Sequence, residues 1–275
     1  MQCTVVSLGR ALLLCSLVVV GCFSGCITQN NGISLAEIQW NFEKEMHNVT
    51  SFSFFQNGTM IQERMNGSQI ISTSTSLAMY GIIDRMNQTY YYRVTSNSVN
   101  ETGVIEITWE TYLVDGVVYR GGHAQNYSGW AKKNASYSDY LLINGGTSVI
   151  DLLNVSTVSR LADEVVGSVP CYVLKADVNA RTYYESTMNI SQWSDVKLAY
   201  ETLNKSINSS KVWTMMFWVD KETFQLLKEY YKKVEEYPVP FSRVTDEEVT
   251  TNHNQNAHLI IVLPSEARNA TWSEW

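Results

Sequence analysis

Between Val104 and Val114 the side chains alternate: Ile105, Ile107, Trp109 and Leu113 fall on one side, Glu106, Thr108 and Glu110 on the other, and Asp115-Gly116 follows directly. A period of two over that length suits a strand with one face buried and one face wet, and Asp-Gly turns it tightly onto a partner over 117–120. A chain written this way is committed to antiparallel sheet.

The same grammar recurs along most of the sequence. A strand over 51–65 meets Asn66-Gly67 and returns over 68–83, another covers 89–95, and Val165-Val166-Gly167-Ser168 turns into an apolar run through Cys171. Residues 213–219 and 224–234 form a hairpin across 220–223, and a last strand is expected over 257–263. The mixture of charges and aromatics over 228–236 reads as an edge or outer strand protected from edge-to-edge pairing, stopped by Tyr237-Pro238.

Helices are few. Ser34 and Glu37 have capping-box spacing, and Leu35, Ile38, Phe42, Met46 and Val49 share a stripe, which predicts a helix over 35–48 with Trp40 off the stripe. A polar loop holding His123, Asn126 and Asn134 leads to a short helix over 149–153, and a further helix is expected over 192–203 with Ser191 as its cap. The expected class is α+β, a single domain over 34–275 in which one curved antiparallel sheet wraps around helices.

Ahead of that domain stands an apolar run over 11–20, within the roughly 7–15 residues of a signal peptide and short of the roughly 20 that span a bilayer. It leads to two cysteines, each after a glycine. Ser24-Gly25-Cys26 resembles a lipobox more closely than Val20-Gly21-Cys22 does, so residues 1–25 are expected to be cleaved and Cys26 lipidated, with Cys22 as the alternative, leaving 26–33 as a flexible tether.

Asn-X-Ser/Thr sequons begin at Asn48, Asn57, Asn66, Asn87, Asn100, Asn126, Asn134, Asn154, Asn189, Asn204, Asn208 and Asn269. Chance would supply about four, so N-glycosylation of the folded surface is expected. A lipobox with dense sequons suits an archaeal cell, which places the chain on the outer face of the cytoplasmic membrane, anchored by its lipid.

A formal charge of −7 argues against nucleic acid as a partner. With Cys26 lipidated, Cys171 is the only cysteine left in the mature chain and can form no internal disulfide; its apolar run marks it as a buried, inert thiol. No nucleophile elbow, phosphate loop, zinc helix or dinucleotide fingerprint is present, so neither enzyme activity nor a cofactor is expected. His253 and His258 have no metal-ligand spacing, and Glu106 with Glu110 reads as the wet side of a strand.

With these segments placed, the chain resembles the lipoprotein-carrier (LolA/LppX-like) superfamily. The likeness rests on the helix running into Met46-His47-Asn48-Val49-Thr50-Ser51-Phe52, the hairpin around Asp115-Gly116 with Trp130-Ala131-Lys132 beyond it, Gly167-Ser168-Val169-Pro170-Cys171, the hairpin at Asp220-Lys221, and the ending Leu263-Pro264-Ser265-Glu266-Ala267-Arg268. The resemblance implies a half-barrel whose concave apolar face, lidded by helices, holds a lipid or isoprenoid-like ligand without transforming it. Candidates to line it are Trp40, Phe52, Phe54, Met60, Trp109, Leu113, Trp213, Met215 and Phe217, with Phe52, Phe54 and Met60 set opposite Asn57 by strand parity. Two other readings stay open: an envelope glycoprotein with a filled core that contacts other envelope proteins, and a sensory or adaptor domain.

Overall fold

This computed structural model describes residues 32–100, 103–124, 127–135, 149–188, 195–238 and 240–273. Leu35–Trp275 form one compact unit, separate from Met1–Ser34. Cys22, Cys26, Asn126 and Asn189 lie outside the described residues, and so does the expected cap Ser191.

The unit begins with helix Leu35–Asn48 (α1). Its expected stripe is the buried one: Ile38 and Phe42 are fully enclosed, while Trp40 is 60% exposed. Burial of those two side chains contributes roughly 1.5–3 kcal/mol each. Six strands follow as a meander, Ser51–Asn66 (β1), Gln69–Asp84 (β2), Thr89–Asn100 (β3), Gly103–Val114 (β4), Val117–Ala124 (β5) and Tyr127–Asn134 (β6). Asp115 and Gly116 both have positive φ, as a two-residue hairpin of this twist requires. Strand β6 corrects the expectation of a polar loop through Asn134; its residues alternate poorly, and continuous pairing with β5 is what makes it a strand.

The second half comprises Val149–Asn154 (α2), Ser156–Arg160 (β7), Glu164–Val166 (β8), Val169–Val178 (β9), Ala180–Thr187 (α3), Val196–Ser209 (α4), Ser210–Asp220 (β10), Leu226–Pro238 (β11), Phe241–His253 (β12), Ser265–Arg268 (α5) and Thr271–Trp272 (β13). Helix α4 starts later than expected because Asp195 caps it, its carboxylate accepting from Leu198 N at 3.0 Å. Helix α3, unforeseen from sequence, is capped by Asn179, which accepts from Thr182 N at 3.1 Å.

The strands make one open, curved sheet in the order β13-β6-β5-β4-β3-β2-β1-β12-β11-β10-β9-β7, with β8 beside β9. Every pairing is antiparallel except the short one of β13 with β6. Two expectations are corrected here. Residues 257–263 are not a strand; the chain leaves the sheet after β12, with Ser51 Oγ donating to the Ala257 carbonyl at 2.6 Å. The charged run over 228–236 lies in β11, which has β10 on one side and β12 on the other and is no edge.

One face of the sheet carries the helices and is called inner here. Phe42 of α1 meets Phe217 of β10 with ring centroids 5.9 Å apart, and Tyr183 of α3 meets Trp213 edge-on at 4.7 Å. On the same face Tyr90, Tyr92, Val94, Leu113 and Val118 form a buried cluster. The outer face has its own smaller cluster of Cys171, Val173 and Trp218, and an aromatic row from Tyr80 through Tyr91 and Tyr112 to Trp130. Burial raises the Cys171 thiol above its ordinary pKa, as suits an inert cysteine.

Helix α1 is pinned over one end of the inner face. Gln225, in the β10–β11 turn, donates to Glu45 at 3.3 Å, and Arg85, in the β2–β3 turn, donates to the Met46 and Val49 carbonyls at 3.1 Å each. Burial falls off along the strands away from these turns. On the inner side of β4, Leu113 is 1% exposed, whereas Ile107 is 37% and Ile105 38%.

Candidate functional site

Beside the covered end, strands β10, β11, β12 and β1 bring a row of inner-face side chains together. The register sets Trp213 opposite Lys233, Met215 opposite Tyr231 and Phe217 opposite Glu229. It continues with Glu229 to Thr250, Tyr231 to Glu248 and Lys233 to Asp246, and then with Thr250 to Gln56, Glu248 to Gly58 and Asp246 to Met60. Because side chains alternate along a strand, all of these point to the same face. Of these, Gln56, Trp213, Met215, Glu229, Tyr231, Asp246, Glu248 and Thr250 line, with Leu152 of α2, an open cavity of about 350 Å³.

The wall is apolar on the β10 side and acidic on the β12 side. A Cβ placed on Gly58 would stand 2.9 Å from Glu248 Cγ, so the glycine is what gives that carboxylate its place in the floor. Trp213 is more than nine-tenths buried, and its indole N–H has no acceptor among the described residues.

Charge in this cavity is unevenly matched. Lys233 Nζ lies 2.8 Å from Glu235 and 3.1 Å from the Tyr184 hydroxyl, over the Trp213 ring at 4.6 Å from its centroid. Burial works against the lysine's charge, but its hydrogen bonds to Glu235 and Tyr184 outweigh it and raise its pKa. That leaves Glu229, Asp246 and Glu248 with little cationic support. Burial, reinforced by the Glu248 charge, pushes Glu229 up to about 7. Burial and the facing Asp246 bring Glu248 to about 7 as well, against the opposing hydrogen bond from Gln56. Asp246 is also raised by burial, with Lys233 offsetting part of the effect.

The residues singled out from the sequence divide. Trp213 and Met215 line the cavity. Phe217 and Leu113 are enclosed in the core and do not line this cavity. Phe52 and Phe54 are half-buried on the inner face, ring centroids 6.2 Å apart, and the Phe54 ring lies over Gly81, where a Cβ would come within 2.3 Å of it. Trp109 packs on the edge of the buried cluster, and Met60, 41% exposed, sits on the inner face past the cavity. Trp40 is corrected: it faces away from the sheet, with Lys44 Nζ 5.2 Å from its ring centroid.

Sequence reasoning missed Gln56, Glu229, Tyr231, Asp246 and Glu248. The signal was there in the parity of Glu229, Tyr231, Lys233 and Glu235, but charged alternation reads as a wet strand unless the strand is known to be central. Nine of the twelve sequon asparagines have described side chains, and all nine are exposed.

No protein-family profile matches the chain. No curated protein matches it either. Among solved structures it is similar to the Mycobacterium tuberculosis lipoprotein LppX, at 10% identity over 83% of this chain and 100% of that one, TM-score 0.37. LprF from Mycobacterium bovis is similar at 10% identity over 86% and 100%, TM-score 0.40. A LolA-superfamily protein from Nitrosomonas europaea is similar at 9% identity over 84% and 96%, TM-score 0.24. What the inner face can hold follows from its own side chains.

Proposed function

We propose that this chain is a lipid-anchored, N-glycosylated protein of the outer face of an archaeal cytoplasmic membrane that holds a ligand with an apolar chain on the inner face of its sheet, without transforming it. One observation carries the reading: the inner face is filled at one end and open at the other. Past α1 and the buried cluster, Met60, Ile105 and Ile107 remain 37–41% exposed on the helix-bearing side, next to a cavity walled by Leu152, Trp213 and Met215. Between them the register sets Thr75, Ser98 and Ser96 on the same face, so the open end interleaves apolar side chains with small polar ones. Each methylene laid against the apolar ones contributes on the order of 0.8 kcal/mol. The exposed sequon asparagines support a sugar-coated surface.

Native mass spectrometry of protein extracted from its own membrane tests the ligand reading. A non-covalent apolar adduct is expected on the parent and its loss on Ile107→Glu, whose exposed position spares the core; an adduct-free parent sinks the reading. The anchor is tested separately. Cys26→Ser should release the protein or leave its signal uncleaved, and a mutant that stays processed and membrane-bound while Cys22→Ser is released moves the lipid to Cys22.

The envelope contact-protein reading draws on the fully enclosed Phe217 and Leu113, which show the covered end to be solid core. The open end is what that reading leaves without a role.

A further inference from the structure

The outer face has a cavity of its own, about 580 Å³, with Gly121, Gly122 and Gly129 in its wall. Arg93, Glu110, Gly121 and Trp130 stand opposite one another across β3 to β6, two residues along from Tyr91 and Tyr112, so their positions share the outer face. A Cβ on Gly121 would lie 2.4 Å from both Cδ2 and Cε2 of Trp130 and 2.7 Å from Cε3. Cδ2 and Cε2 are the carbons common to the two rings, which an approach in the ring plane cannot reach together. The indole therefore lies flat on β5, one face against Gly121 and the other turned to the cavity it lines.

Polar groups border that ring. Glu110 accepts from the Tyr91 and Tyr112 hydroxyls at 3.5 and 3.4 Å and has Arg93 Nε 4.0 Å away, and Glu266 of α5 also lines the cavity. A flat aromatic face beside a held carboxylate and a guanidinium suits a pyranose, whose C–H face stacks on the indole while its hydroxyls donate to the one and accept from the other. A sequon on the same face points independently to a sugar. Asn57 is exposed, and the register carries its row through Ala78 and Thr95 to Thr108, which lines the cavity. Three strand spacings separate the two, roughly 14 Å, which a short oligosaccharide spans. Phe55 and Tyr80, 42% and 43% exposed, face each other in the adjoining row and flank that path.

We propose that the outer cavity is a saccharide site and that its occupant is the N-glycan on Asn57 of the same chain, laid across Ala78, Thr95 and Thr108 with a hexopyranose stacked on Trp130. This occupant presupposes the sugar-coated surface proposed above, with Asn57 among its attachment sites. An attached sugar is favoured over a free one because its tether presents it to the cavity at high effective concentration. Docked there, it covers Phe55 and Tyr80, aromatic surface that the protein would otherwise offer to other molecules.

The test is hydroxyl-radical footprinting with glycopeptide mapping on the full chain purified from its own membrane, with the exposed Trp40 as internal reference. Oxidation of Trp130 should rise about threefold or more in Asn57→Gln relative to the parent, Trp40 staying constant. Thr59→Ala, which destroys the sequon and keeps Asn57, should do the same. Arg93→Ala should raise it in the sugar-bearing chain and add nothing once Asn57→Gln has removed the sugar. Sugar mapped to Asn57 with equal Trp130 oxidation in parent and variants overturns the docking and leaves the glycosylation reading standing. Sugar on other sequons with Asn57 bare overturns the occupant, and sugar on none overturns the glycosylation reading as well. Protection that persists in both sequon variants overturns the Asn57 assignment; if dilution then abolishes it, the sugar belongs to a neighbouring molecule.

Discussion

Two single residues show how closely the inner face is fitted. Thr111 on β4 is fully buried, and its hydroxyl has no partner among the described residues. Replacing an unsatisfied buried hydroxyl with a methyl of the same shape removes a desolvation cost, so Thr111→Val should stabilise the protein by about 1 kcal/mol, read as a rise in thermal midpoint; a fall would mean that the hydroxyl has a partner. Gly81 is the opposite case, since the Phe54 ring occupies the space a side chain would need. Gly81→Ala should cost about 1–3 kcal/mol by driving that ring off its rotamer, and Gly81→Ala/Phe54→Leu should recover part of the loss. The cavity carboxylates belong to the same scale. Their parity is readable from the sequence, whereas their burial is a property of strands up to two hundred positions away, such as β1 and β12.

Among the elements, β12 decides the topology. It pairs with β1 along one edge and with β11 along the other, and so joins the first meander to the last. Its sequence is rich in Asp, Glu and Thr, with few of the apolar positions that mark a strand with a buried side, which is why sequence reading passed over it. Thr245 pairs with Ile61 on one side and Val234 on the other. Proline there removes a ladder donor and has no edge to escape to, so Thr245→Pro should abolish amide protection in β1 and β11 together while sparing β3 to β5, as measured by hydrogen exchange. Loss confined to β12 would show the two meanders to be held by something else. Helix α1 contrasts with β12: its stripe is local, and its extent was legible in the sequence.

At the scale of the whole molecule, the acidic cavity ties stability to pH. Glu229 and Glu248 titrate near 7 in the fold against an ordinary value of 4.5, so between those limits the folded state keeps protons that the unfolded chain gives up. The stability they confer is therefore present at low pH, falls as pH rises from about 4.5 to about 7, and is flat above that. Without ligand, unfolding free energy should drop by on the order of 1–3 kcal/mol across that window, and the Glu229→Gln/Glu248→Gln variant should flatten the curve and be the more stable protein at about pH 8. A wild-type curve that rises over the same range would place the carboxylates in water. The sequence by itself determined the antiparallel class, the α1 stripe, the hairpins at Asn66-Gly67 and Asp115-Gly116, and the inward parity of Phe52, Phe54 and Met60, because each depends on periodicity and turn chemistry within a few residues. Only the tertiary structure decided that β11 is central, that β12 exists between it and β1, that Trp40 faces away while Trp213 faces in, and that an acidic cavity adjoins the open end of the inner face. Those facts depend on which strands become neighbours, and pairing between distant segments is settled by the burial of the whole sheet, which no local pattern of side chains encodes.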